Sequence, residues 1–354
     1  MYLHIFNPEH DVALASNLAN FTAPHAGCKL RTDLGFLPAF WAQEGDFVLV
    51  DDVKAALGSL RHFNRYTHDI VFVTLDDLCN LPSMKVDAWG WDRALRSQLL
   101  KAGISSDMLP SESQIEVFRT LSNRHWAARY LLPEIIKTDN GLIGEAFYLQ
   151  DVKDFSEFKY PYVLKAPWSS SGRGIRYVDL INSHLEGWIA NVIQKQGGVM
   201  LEPYYHKLMD FAMEFESTDE GVLYSGLSLF HTEHGAYSSN ILASENEKLC
   251  VISKYISPQL LATVSHKISE VLSGFFRETY RGPFGIDMMV VSDGGELRLH
   301  PCVELNLRRT MGHVALSFNM KDTDARKEMQ ISFDGNYHLH IVSTNENVIN
   351  NSLI

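Results

Sequence analysis

Apolar residues in the first hundred positions come in short blocks separated by polar and turn-forming stretches. Tyr2 to Phe6 (YLHIF), Phe47 to Val50 (FVLV) and Ile70 to Thr74 (IVFVT) are three such blocks, each followed by acidic or turn residues. This is the pattern of strands in a small parallel α/β sheet. Further along, the period lengthens. Ser111 and Gln114 in PSESQIEVFRTL form a capping box ahead of Ile115, Phe118 and Leu121 at helical spacing, and a second helix is expected to start at Ser122. Ser183 and Glu186 make another capping box, opening a helix with Leu185, Trp188, Ile189 and Val192 that ends at Gly197-Gly198. The longest helix starts with Ser257 as N-cap and Pro258 in its first turn, then carries Leu261, Val264, Ile268, Val271 and Phe275.

Between the helices lie longer strand patterns. Residues 162–178, YVLKAPWSSSGRGIRYV, read as a strand carrying Lys165, a Ser/Gly loop and a second short strand. VMLEPYY follows at 199–205, and residues 221–243 read as strand, polar turn near Glu233 to Gly235, and strand. Residues 282–309, GPFGIDMMVVSDGGELRLHPCVELNLRR, form a hairpin turning at Asp293-Gly294-Gly295. A two-glycine loop pairs Asp293 with Glu296 and sets Asp287 opposite Cys302, on the face of Glu304, Asn306 and Arg308; a loop one residue longer reverses that face. A final strand, HLHIVS, precedes a polar tail. Three units are expected: residues 1–120, 121–332 and 333–354.

At 354 residues the chain is long enough for two or three domains. Its formal charge of -12, from 31 basic and 43 acidic residues, argues against nucleic acid as the main partner and shows no basic membrane patch. Cys28, Cys79, Cys250 and Cys302 are scattered, with neither disulfide nor zinc spacing, so a reducing cytoplasm is the simplest home. MYLHIFNPEHD has no signal-peptide character and no apolar run is long enough to span a membrane, so an unprocessed, soluble protein is expected.

Candidate chemistry concentrates in VELNLRR, residues 303–309. Alternation along a strand puts Glu304, Asn306 and Arg308 on one side, with Leu305 and Leu307 in packing. Glu and Asn supply oxygen to hard divalent cations, and Arg meets phosphate with a planar fork. The Ser/Gly loop after Lys165 is no Walker P-loop, because there the lysine follows the loop and a helix comes next. A lid whose backbone N–H groups face phosphates fits the residues, as does an ordinary turn. NPEHD, at 7–11, follows the first strand where ligands of parallel sheets sit, but a turn and helix start is the plainer and preferred reading. Trp89-Gly90-Trp91-Asp92 has the same two readings. His231 and His234 lack a third ligand at zinc spacing.

The order of these features resembles the ATP-grasp superfamily, the fold of biotin carboxylase, carbamoyl-phosphate synthetase and D-alanine:D-alanine ligase. The likeness runs from about residue 110 to about residue 320 and rests on Lys165, the SSSGRG loop, LEPYY, Asp287 and the ELNLR strand in that order. It implies an α/β (α+β) architecture: two α+β subdomains clasping ATP about a hinge near 200–204, preceded by a pre-ATP-grasp α/β domain. It also implies roles for particular residues. Lys165 and Arg124, the latter where a lysine is more familiar, would contact the α and β phosphates. Ser169, Ser170, Ser171, Gly172 and Gly174 would form the lid, Met200, Leu201 and Glu202 would meet adenine, and Asp210 would meet ribose. Tyr237 and Asn240 would lie in a segment closing over the triphosphate. Asp287, Glu304 and Asn306 would hold two magnesium ions, or manganese in their place, with Arg308 and Lys165 as the catalytic cations. The implied activity is an ATP-dependent ligase joining a small-molecule carboxylate to an amine through an acyl-phosphate. A phosphotransferase or carboxylase, or a nucleotide-binding regulator without turnover, are the alternatives, and a homo-oligomer is compatible with the sequence.

Overall fold

The computed structural model describes residues 1–159, 161–169, 174–233 and 236–343. The first sheet holds β1 (Tyr2–Ile5), β2 (Phe47–Leu49), β3 (Val71–Val73) and β4 (Lys85–Ala88), all parallel, in the order β3-β2-β1-β4. Helices α1 (His10–Ser16), α2 (His25–Leu34), α3 (Val53–Leu60) and α4 (Arg93–Lys101) connect and follow these strands. The order reverses between β1 and β4, so the turns after these two strands open into one crevice. The strand β4 has no apolar block to announce it. Asp87 interrupts KVDA because the fold sets its carboxylate against His4 and Arg309.

Helices α5 (Glu112–Leu121), α6 (Arg124–Tyr130) and α7 (Leu132–Ile136) lead into an antiparallel second sheet. It is built from β5 (Phe147–Leu149), β6 (Tyr162–Lys165), β7 (Ile175–Val178) and β8 (Val199–Pro203), in the order β5-β8-β6-β7, with α8 (Ser183–Gln196) before β8. The capping box of α5 is present as expected. Two other starts fall one residue from their expected caps. Asn123 caps α6 by accepting from His125, one residue past Ser122, and Asn182 caps α8 by accepting from Leu185, one residue before Ser183. Asn and Ser both suit an N-cap, so composition alone leaves such a choice open.

The remaining strands are β9 (His206–Thr218), β10 (Gly221–Ser228), β11 (Phe230–Glu233), β12 (Ala236–Leu242), β13 (Gly282–Asp293), β14 (Glu296–Asn306), β15 (Lys327–Phe333) and β16 (Tyr337–Ser343). Helices α9 (Glu245–Ile252) and α10 (Pro258–Phe276) precede β13, and α11 (Met311–Ser317) precedes β15. The third sheet runs β10-β9-β13-β14 and the fourth β11-β12-β15-β16, both antiparallel. Residues 221–243 therefore form three strands divided between two sheets.

Alternation in β9 decides where the site lies. Met209, Phe211, Met213 and Phe215 enter a core with α10 and with Phe284, Ile286, Met288 and Val290 of β13, leaving Asp210, Ala212, Glu214 and Glu216 on the other face. The buried stripe of α10 is Leu261, Val264, Ile268, Leu272 and Phe276; the expected Phe275 is exposed, because 3.6-residue periodicity drifts by one position over four turns. A second core joins Phe6, Leu37, Phe40 and Phe63 to Val314 and Ala315 of α11 and to Met329 and Leu339 of the fourth sheet. It packs the parallel-sheet unit against α11, which follows the VELNLRR segment, and against the fourth sheet. Among the described residues, no helix is long and apolar enough to cross a membrane.

Candidate active site

The β13-β14 hairpin brings the carboxylates together. Asp293 pairs with Glu296, with Gly294 (φ 59°) and Gly295 (φ 91°) in the turn, a left-handed conformation that glycine adopts without strain. An irregularity between Asp287 and Met289 then shifts the register by two residues. Asp287 consequently faces Glu304, in place of the expected Cys302, and the even shift keeps it on the same side. Gly285, Ile286 and Asp287 pair with Asn306, Leu305 and Glu304 on one flank and with Glu214, Met213 and Ala212 on the other.

Burial, and then the charges of Glu304 and Glu214, push the Asp287 carboxyl up to about 8. Crowded carboxylates of this kind are relieved by a divalent cation, and with Asn306 the set offers only oxygen donors. Among the described residues, no three His, Cys, Asp or Glu side chains are clustered as a metal cage. The set is two carboxylates and a carboxamide, which suits magnesium, an ion that takes its other oxygens from water and phosphate.

Cations face these anions. Arg124, buried at the start of α6, meets Glu304 at 2.5 Å, Ala166 O at 2.7 Å and Ser169 Oγ at 2.8 Å. Burial lowers its pKa, yet Glu304 and further acids outweigh that and raise it overall. Lys165 Nζ lies 2.6 Å from Glu202 Oε2, both side chains buried. Arg308 grips Asp11 through Nε at 3.0 Å and Nη2 at 2.8 Å and also donates to Asn306 Oδ1 at 3.1 Å. Burial works against this Asp11 charge, but Arg308 prevails and holds its carboxyl below the ordinary value. Arg309 turns to the other side, where it reaches Asp87 at 3.1 Å and covers Trp41 at 4.4 Å, an interior contact.

Met200 and Leu201 are buried in β8, which is paired by β5 on one edge and β6 on the other. Pairing with β5 stops at Leu201, so Glu202 and Pro203 are the first residues of β8 with a free edge. Asp210 pairs with Lys207 on the Glu214 face. Asn240, in the middle strand β12, donates to Ser228 Oγ at 2.8 Å and Leu229 O at 3.3 Å. Ser169 and Gly174 meet at the base of the Ser/Gly loop, where Gly174 O accepts from Ala166 N at 2.8 Å. Ser170, Ser171 and Gly172 lie outside the described residues, as do His234 and the tail beyond 343.

Solved structures match this arrangement along its length. A putative ATP-grasp superfamily protein from Archaeoglobus fulgidus aligns over 98% of this chain and 100% of its own, with a TM-score of 0.51 at 12% identity. The chain has the ATP-grasp fold. N5-carboxyaminoimidazole synthetase from Staphylococcus aureus, solved with ADP, aligns over 98% and 93% at a TM-score of 0.50 and 12% identity. An ADP complex of purK, N5-carboxyaminoimidazole ribonucleotide synthetase, gives 98%, 92% and 0.50 at 13% identity. No protein-family model and no curated protein matches the sequence.

Within this chain, one group had no part in the residues picked out by pattern, and another was picked out with two readings. Glu214 is 1% exposed, and Gly285 and Gly312 make room for it: a Cβ at Gly285 would stand 2.5 Å from its Oε2, and one at Gly312 would overlap Oε1. The alternation of DFAMEFE in β9 carries the signal, since an acid four places from Asp210 and two from Ala212 must share their face. The second group is NPEHD. It does open a helix, as the plainer reading has it, but Asp11 caps nothing and instead joins Arg308 across 297 residues of sequence.

Proposed function

We propose that the protein is an ATP- and magnesium-dependent ligase that activates a carboxylate as an acyl-phosphate and passes the acyl group to a nitrogen nucleophile. One observation carries this reading: Asp287, Glu304 and Asn306 share a face that ends in Arg308 and looks toward Arg124 and Lys165. The two ADP-bound structures of the same fold support a nucleotide in this cleft.

Arg124 and Lys165 rest on Glu304 and Glu202 and would exchange those carboxylates for the phosphates of ATP, whose charge is larger. Glu304 is then released to bind metal with Asp287 and Asn306. Magnesium there would supply Lewis-acid stabilisation of the transferred phosphoryl group. Lys165 and Arg308 neutralise charge that develops in the transfer, and fixed cations do this without reorganisation. Glu202 and the free edge beyond Leu201 would receive adenine, so Met200 and Leu201 form the wall behind it. Asp210 would hold ribose, Ser169 and Gly174 would anchor the lid that excludes water, and Asn240 would support the Glu214 end through Ser228.

The acceptor would sit where the turns after β1 and β4 meet Arg308. A screen for ATP-dependent phosphate release against amino acids and small carboxylic acids identifies the substrate, after which the carboxylate is labelled with ¹⁸O. Label is expected in the released phosphate. A stable phosphorylated product, or unlabelled phosphate, would overturn the acyl-phosphate reading in favour of phosphotransfer or simple hydrolysis.

A further inference from the structure

Histidine 10 has no part in the nucleotide and metal roles, yet it is built into the same cavity. Its side chain is 2% exposed and lines that cavity with Asp11, Arg124, Ser169, Glu304 and Asn306. Nδ1 lies 3.2 Å from Asp92 Oδ2. Asp92 is itself fixed: its Oδ1 caps α4 by accepting from Leu95 N at 2.9 Å, and its Oδ2 accepts from Asn7 Nδ2 at 3.2 Å. Asn7 is tied in turn to Gly90, donating to its O at 2.8 Å and accepting from its N at 3.3 Å. Gly90 permits the ring to sit there, since a Cβ would come within 2.6 Å of Nε2.

Facing a carboxylate oxygen, Nδ1 is the donor, which leaves the lone pair on Nε2. Among the described residues nothing hydrogen-bonds to that nitrogen. The other buried histidines differ. His4 binds Asp87 and Asp46 through both nitrogens, and His313 binds Thr310 and the Phe215 carbonyl. His300 accepts from Cys302 N, and its other nitrogen is sealed against Gly144. Among the described residues, His10 alone combines a carboxylate on one nitrogen with a free nitrogen at the cavity. The neighbouring acids are committed, Asp11 to Arg308 and Glu304 to Arg124.

We propose that His10 is the general base for the nitrogen nucleophile and that Asp92 is its positioning residue, an assignment that rests on the ligase reading above. Nε2 first takes a proton from the bound ammonium group and so frees the nitrogen lone pair, which attacks the acyl carbon; the C–N bond forms, and the second proton lost from nitrogen goes to the departing phosphate. The acyl C–O bond to phosphate then breaks, and phosphate leaves with the bonding pair. The proton goes from His10 to solvent before the next turnover. Nitrogen nucleophiles that arrive protonated need such a base, whereas hydroxylamine is largely unprotonated at neutral pH and does not.

The test uses the full chain with ATP, Mg²⁺ and the amino acids and small carboxylic acids of the phosphate-release screen as carboxylates, offered either amino-acid amines or hydroxylamine as nucleophile. His10→Asn keeps an N–H toward Asp92 and removes the Nε2 lone pair. The ratio of amide to hydroxamate formed from one carboxylate is expected to fall on the order of 10²-fold, with a smaller fall in the same ratio for Asp92→Asn. Equal losses with both nucleophiles would overturn the base assignment while leaving the ligase reading in place. Wild-type protein that forms neither product would overturn the ligase reading, and this assignment with it. Should His10→Asn not fold, Asp92→Asn, which retains the imidazole, reads the same ratio and decides in the same way.

Discussion

Two sets of ion pairs cross the interior of this molecule, and they are built differently. In the cleft between the second and third sheets, Lys165 with Glu202 and Arg124 with Glu304 join groups that a triphosphate and a divalent cation would each take for themselves. In the seam between the parallel sheet and the chain after β14, Asp87 accepts from Arg309, His4 and Trp41 together, and the Arg309 guanidinium sits over the Trp41 ring. On the proposed function, the first set is a resting arrangement that a ligand would replace. The second is closed on itself and holds two parts of the fold in register, so the two should separate into an activity effect and a stability effect.

The largest effect is expected at Glu304. Glu304→Gln keeps an oxygen for Arg124 but removes the charge proposed for metal, and ATP-dependent phosphate release should fall on the order of 10³-fold. Urea denaturation should show little change in midpoint. A variant that loses stability with its turnover intact would place Glu304 among the seam pairs and end the distinction.

Asp87→Asn should do the opposite. Burial raises this carboxyl, but Arg309, His4 and Trp41 outweigh it and hold it at about 2. An ordinary aspartate titrates near 4, so this difference corresponds to about 2 kcal/mol of folding stability at neutral pH. The group is depressed in the folded state, so its contribution is complete above about pH 4 and disappears as pH falls toward 2. Urea midpoints should drop for Asp87→Asn at pH 7, and the gap between variant and wild type should close on acidification through that window. A gap that persisted at the acid end would mean that the asparagine disturbs packing and that charge is not the cause.

Gly312→Ala probes the point at which a stability change enters the site. Helix propensity favours alanine over glycine by about 1 kcal/mol. Here the new Cβ would overlap Glu214 Oε1 and stand 2.6 Å from Ser228 Oγ, and Glu214 has little freedom to retreat beside Gly285. Overpacking of a buried site costs about 1–3 kcal/mol, which outweighs the propensity gain. Both the urea midpoint and phosphate release should therefore fall, the latter on the order of 10-fold. A stabilised, active variant would show that Glu214 moves freely and has no fixed place beside Asp287.

Local chemistry explains how much of this was legible. VELNLRR and the Asp293-Gly294-Gly295 turn announce a face and a register, and the carboxylates do meet on one side. The irregularity opposite Asp287 and Met289 lies in β14, which runs four residues from His300 to Glu304 against two of β13, so no turn rule gives it. The ATP-grasp fold was readable from the order of several weak features, while β4 and the Asp87 pairs were not, because a polar residue within a short strand has meaning only beside its partners. NPEHD shows the same limit: its turn and helix start are local, whereas the join from Asp11 to Arg308 needs the whole chain. Glu214 was legible in principle, as the alternation that buries Phe211 and Phe215 also fixes its side.

The smallest effect belongs to a pair that lies at the cleft but in solvent. Lys207 meets Asp210 with side chains 47% and 26% exposed, so water and salt screen their attraction and two flexible chains must be ordered to make it. Lys207→Ala should change stability by less than about 0.5 kcal/mol, and it frees the carboxylate proposed for ribose, so the nucleotide KM should move by no more than about threefold. Position at the cleft alone would predict a large effect and exposure predicts a small one. A tenfold change in KM from this exposed lysine would show that location, and not burial, governs which pairs matter.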